Sequence, residues 1–383
     1  MTYFSCNISY SLYELHLPIG LLTFESGPKL CQRPLPRQLP VSLTSLRLHS
    51  LGETDYQLPN SLPNLKHLLI PVKFEASRLS TFRVPPSVTE IEFHCQQVDA
   101  LQRIHLPPNL RKLTVGDYKC NYNVLCPLKF DSIDWPKSLK ELIITNKEVD
   151  LRRWSPPASL ARLKLNTLVN SNKNLARRLY QPDLHHPIRL DEISLPPQLE
   201  YLHIGDCDRQ PRMLPNPTFH LPWTSSLTHL ALRYLCDSAE SIIQTAQLPS
   251  TLTRIDLIAR GQSIKIPQTL PTQLRQLFIH GHISHSLSPV DIVPYLPPNL
   301  ETLGLLASRL RDVTINLPPN SSAFSFPPFL RTLWTPSFQL LNRLGWFRMI
   351  DGDSPIRVRL ADESSETLKE FRQEDDEGEM YYL

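Results

Sequence analysis

A ten-residue segment, Leu-Pro-Pro-x-Leu-x-x-Leu-x-Leu, recurs about thirteen times along the 383-residue chain. Its clearest copies are Leu106 to Val115, Leu195 to Ile204 and Leu296 to Leu305. Apolar residues repeated at this spacing cannot be buried by one unit alone; stacked units bury them together, which specifies a solenoid. Taking the first leucine of each unit as its anchor gives Leu12, Leu43, Leu65, Val88, Leu110, Leu139, Leu160, Leu199, Leu227, Leu252, Leu274, Leu300 and Leu330. Three and five residues later the columns stay apolar throughout, except at Thr335.

The end of each unit alternates with period two, as a short strand does. Its leucines point into the coil, and each strand should pair in parallel with the next. The chain holds 37 prolines and only 11 glycines. Proline fixes φ, lacks a donor and pushes the preceding residue into extended geometry. A Pro-Pro step therefore steers the chain into the sheet without starting a helix. Thr81 to Val84, Gln102 to Leu106, Asp131 to Trp135 and Glu192 to Leu195 read as extended return segments. Short helices are expected at Ser171 to Tyr180 and Asp237 to Gln247. The expected class is mainly β: a solenoid of about thirteen coils with a parallel concave sheet and irregular convex segments.

The domain reading follows. Residues 1–11 form an N-terminal cap, 12–335 the solenoid, and 336–360 a C-terminal cap. In that cap Trp346 to Ile350 and Ile356 to Leu360 form a β-hairpin. Residues 361–383 carry nine acids and two bases, an acidic tail of −7 on a body of +10. Charge runs of this kind are usually disordered.

Leu39 to Leu48 (LPVSLTSLRL) and Trp135 to Ile144 (WPKSLKELII) carry a family resemblance. With these segments, residues 12–335 resemble leucine-rich repeat proteins, and more narrowly the FNIP-repeat variety. In that group Leu-Pro-x-Ser-Leu-x-x-Leu-x-Leu opens a repeat of about 22 residues; the Phe-Asn-x-Pro-Leu element that names it is absent here. The resemblance implies a non-enzymatic protein-interaction module.

No nucleophile elbow, phosphate-binding loop, HExxH or kinase signature occurs, and Glu90, Glu92 and Glu141 read as a charged face. The seven cysteines show no CxxC pair, so no metal or cofactor is expected. The N-terminus has no secretory signal pattern, which places the chain, as a monomer, in the cytoplasm or alternatively the nucleus. Specificity must then reside in the x positions of the strands. Seven of the thirteen histidines fall there. The partner-binding candidates on the concave face are Tyr201, His203, His229, Arg233, Arg254, Phe278, His280 and Trp334, since aromatic and arginine anchors dominate interfaces. The expected partner is another protein. The alternative is nucleic acid on the basic body, with the acidic tail as an autoinhibitor.

Overall fold

The computed structural model describes residues 2–6, 16–26, 38–48, 58, 62–70, 83–94, 101, 104–116, 128–129, 133–145, 149–150, 154–165, 195–204, 224–233, 248–260, 270–282, 296–307, 329–335 and 357–360. It divides into an N-terminal unit, Met1–Pro182, and a C-terminal unit, Asp183–Leu383. All described elements are strands.

In the N-terminal unit a parallel sheet runs in chain order through β1 (Tyr3–Cys6), β2 (Thr23–Ser26), β3 (Ser45–Leu48), β4 (His67–Ile70), β5 (Glu90–His94), β6 (Lys112–Gly116), β8 (Glu141–Ile144) and β10 (Arg162–Leu165). Two short strands, β7 (Leu128–Lys129) and β9 (Val149–Asp150), form a separate parallel ladder. The C-terminal unit repeats the plan with β11 (Tyr201–Ile204), β12 (His229–Arg233), β13 (Arg254–Arg260), β14 (Gln276–His282), β15 (Thr302–Ala307), β16 (Thr332–Thr335) and β17 (Arg357–Leu360), again parallel throughout. The fold is a parallel β-solenoid built on a leucine-rich repeat.

Among the described residues, the coils anchored from Leu21 to Leu300 enter their strands through the same β-turn. The anchor N–H donates to the carbonyl three residues back, as from Leu110 to Pro107 at 3.1 Å. Where Pro-Pro-x precedes the anchor, as at Pro107-Pro108-Asn109, the second proline occupies the turn position that favours φ near −60°. The first proline is buried with the core, as at Pro107 and Pro297, while the second stays exposed. Just past the turn, one carbonyl accepts two successive N–H groups of the following coil. Lys112 and Arg111, for example, both donate to Thr89. That pairing sets the register, which stacks leucine on leucine: Leu113 lies opposite Ile91 and Leu142. Burial of each such side chain contributes about 1.5–3 kcal/mol.

Where the residue before the anchor is Ser, Thr or Asn, it holds neighbouring coils together from outside the core. Ser138 Oγ donates to the carbonyls of Pro108 and Leu110, and Ser159 Oγ to Leu139, at 2.6–2.7 Å. Asparagines reach the carbonyl two residues before the anchor: Asn64 to Val41, Asn109 to Pro86 and Asn299 to Thr272. Small hydroxyls and amides at this site are therefore structural, not free positions of the repeat.

The expected first coil is corrected. Leu17 and Pro18 precede the turn, and Leu21 donates to the Pro18 carbonyl at 3.0 Å. Leu21 is thus the first anchor among the described residues, with Phe24 and the buried Ser26 in its core columns, while Leu12 and Leu15 lie outside them. His16 and Pro18 belong to the entry to this turn and not to a strand. At the opposite end, the Arg357–Leu360 half of the expected hairpin joins the sheet as its last parallel strand, with Leu333 opposite Val358. Its other half, Trp346 to Ile350, the two expected helices and the acidic tail lie outside the described residues. Among the return segments, Arg83 and His105 form a parallel bridge.

Candidate functional site

Alternation places two to four positions of each strand on the sheet face opposite the leucines, the face expected to be concave. In the N-terminal unit this outer face is wet and mixed in charge. In the registered row His67, Glu90, Lys112, Glu141, Arg162, the charge changes sign at every strand from Glu90 onward. His67 Nδ1 meets Glu90 at 3.0 Å, and Lys112 Nζ meets Glu141 at 3.6 Å. Exposed pairs of this kind contribute about 0–1 kcal/mol, so the row sets charge and little else.

The central row, two residues further along each strand, stays exposed or half-buried from Arg47 to Lys164 in the N-terminal unit and is buried in the C-terminal unit. His203, Ala231, Asp256, Phe278 and Gly304 stand in this row on successive strands, and all are buried. Parallel sheets usually bury both faces, and β11 to β15 approach that condition from their own outer side chains.

Asp256 organises the cluster. Arg254, two residues earlier on the same face, donates Nε–H to both carboxylate oxygens at 3.1 Å. His229, in register with Arg254 on the next strand, contacts Oδ2 through Nε2 at 2.7 Å. An ionised carboxylate only accepts, so Nε2 carries the proton of that bond. The aspartate is only 3% exposed, and the two partners satisfy a charge that would otherwise be costly there.

Aromatic rings brace the cluster at both ends. Tyr201 meets the His229 ring edge-on, with centroids 4.5 Å apart and planes at 87°. Its hydroxyl lies 3.3 Å from His203 Nδ1. The Arg254 guanidinium sits 5.1 Å over the Phe278 ring, a cation–π contact. Phe278 in turn needs Gly304: a Cβ there would lie 2.3 Å from Phe278 Cδ1. Gly304→Ala should accordingly cost about 1–3 kcal/mol through overpacking. Urea unfolding measures this, and a cost below about 0.5 kcal/mol would mean that the ring does not occupy this place.

Five of the eight expected partner-binding residues thus fall together: Tyr201, His203, His229, Arg254 and Phe278. Two of them differ from expectation. Phe278 is 6% exposed and His203 1% exposed, so both support the surface from beneath and neither projects as an anchor. Arg233, His280 and Trp334 stand on the same three-row lattice by register, opposite Ile258, Leu306 and Gly304. Asp256 was not among the expected site residues. Its signal in the sequence was the Arg-x-Asp step on one face, with a histidine one strand away. Among the described residues no group of three or more side chains could hold a metal ion, and no helix is long and apolar enough to cross a membrane.

No protein-family model matches the chain, and no curated protein matches it. Among solved structures the chain is similar to CroV588, described as a circular leucine-rich repeat protein, with 17% identity and a TM-score of 0.42. That match covers 92% of this chain and 65% of the other, so the chain spans just under two thirds of the length of CroV588. It is also similar to YopM from Yersinia enterocolitica WA-314, with 21% identity, a TM-score of 0.36, and 83% and 69% of the two chains covered. A leucine-rich repeat protein from Bacteroides ovatus ATCC 8483 shows 13% identity, a TM-score of 0.21, and coverage of 94% and 84%.

Proposed function

We propose that the protein is a non-enzymatic interaction scaffold that binds another protein on the outer face of its C-terminal unit. One observation carries this reading: Asp256 and Phe278, buried themselves, hold Arg254 and His229 in fixed poses at the surface. Association normally costs about 0.5–1.5 kcal/mol for each flexible side chain that must be immobilised. Arg254 and His229 are partly exposed and already ordered, so much of that cost is met in the folded chain. Tyrosine and arginine together are the side chains on which binding energy concentrates.

A histidine on a carboxylate can also orient a catalytic base. Here Arg254 takes both oxygens of that carboxylate, and the His229 ring packs against Tyr201. No serine, cysteine or threonine stands at an outer-face position of β11 to β14 to serve as nucleophile. The cluster supports recognition better than catalysis.

The test is capture of partner proteins from the native cell by the full chain. Combined replacement of Tyr201, Phe278 and Arg254 by alanine should abolish the specific capture while the far-ultraviolet spectrum keeps its β-sheet form. Undiminished capture by the folded variant would move the binding surface elsewhere.

A further inference from the structure

By sequence and register, the outer-face positions of the two units differ in charge. From β1 to β10 the outer-face positions hold four glutamates against four lysines and arginines. In sequence, the corresponding register positions of β11 to β17 carry arginine at 233, 254, 260, 357 and 359, one acid, Asp256, and no lysine; of these side chains the structure describes Arg254 and Asp256. The one acid is already spent, because its oxygens accept from Arg254 and His229. Arginine in place of lysine favours planar, two-point recognition of oxyanions.

Arg254 shows how that recognition would work. Its Nε edge is fixed on Asp256 and its plane lies over Phe278. Its two Nη groups donate to no described residue, and the side chain is 31% exposed. The Nη edge presents two parallel N–H bonds, the geometry a carboxylate accepts in bidentate fashion. The second carboxylate would complete a guanidinium bridged between a buried aspartate and an incoming acid.

We infer that this face binds an acidic peptide segment of the partner, with Arg254 as the anchor for one of its carboxylates. The inference rests on the scaffold reading and names the chemistry of its ligand. The arginines are spaced among apolar and neutral positions, including Ala231, Ile258 and Gln276. That mixture suits a peptide carrying acidic and apolar residues. A nucleic-acid strand would instead call for a continuous basic track with stacking aromatics.

The test uses the full chain with three labelled probes: a glutamate-rich peptide, the same peptide with glutamine at every glutamate, and single-stranded poly-dT. The glutamate peptide should bind at least about tenfold tighter than the glutamine peptide and weaken as salt rises. Because Arg254→Gln alone strands a buried carboxylate, the variant is Arg254→Gln with Asp256→Asn. It should weaken the glutamate peptide about tenfold or more. Arg254→Lys, which keeps the charge and loses the two-point edge, should weaken it similarly. Equal binding of the two peptides, unchanged binding by both variants, or tighter binding of poly-dT would each overturn the inference. If the peptides fail while partner capture still depends on Tyr201, Phe278 and Arg254, the acidic chemistry is wrong and the scaffold reading stands.

Discussion

Asp256→Ala should destabilise the protein by about 3 kcal/mol, the lower end of the cost of breaking a buried ion pair. The reason lies in what the substitution leaves behind. Arg254 and His229 each lose a charged hydrogen-bond partner within a row whose central side chains are buried. Both are partly exposed and regain some water, which keeps the cost from the upper end of the range. Asp256→Asn should fall between wild type and alanine, since an amide oxygen still accepts from Arg254 without the charge. Urea unfolding of the three proteins checks the order. A loss below about 1 kcal/mol for alanine would show that Asp256 does not hold the cluster together.

Phe24→Ala should cost about 3–5 kcal/mol, the usual cost of deleting a buried aromatic ring. Phe24 is fully buried in the first turn-closed coil, and Phe4 of β1 stacks on it at 6.1 Å with planes 9° apart. The loss should appear as a lower urea midpoint with an unchanged slope. A cost below about 1.5 kcal/mol would contradict the placement of β2 in the core.

That second substitution also shows where sequence and structure part. Of the thirteen expected anchors, the twelve from Leu43 to Leu330 are buried as expected; Leu12 lies outside the described residues, and Leu21 is an anchor that was not expected. A search for apolar columns prefers Leu12, Leu15 and Leu17, because the true coil ends its core column in Ser26. The proline rule would have chosen correctly, since Pro18 stands three residues ahead of Leu21 as proline does in most other units. The leucine lattice was legible because one period governs every coil. The serine and asparagine ladder was half legible: those letters recur, but their bonds run to carbonyls of the preceding coil, more than 20 residues away. The candidate site was legible only as a set of positions. Whether Phe278 projects or lies flat depends on Gly304 in the following coil, where the missing Cβ leaves room for the ring. Likewise, Asp256 reads as one more surface acid until the register sets His229 beside Arg254.

The outer rows of the two units differ: charges alternate in the N-terminal unit, and the C-terminal unit centres on Arg254, His229 and the buried Asp256. The leucines and turn prolines build both units alike. The outer rows differ because nothing in the core constrains them, and the C-terminal rows have become a rigid surface of Tyr201, His229 and Arg254 on a buried base.

Site-specific photo-cross-linking reads this surface most directly. A benzophenone amino acid at position 201 of the full chain should cross-link to the captured partner on irradiation in the native lysate. The same group at Leu69, on the outer face of the N-terminal unit, and at the exposed turn residue Lys137 should give no such product. Cross-linking from Leu69 or Lys137 with none from position 201 would contradict the account.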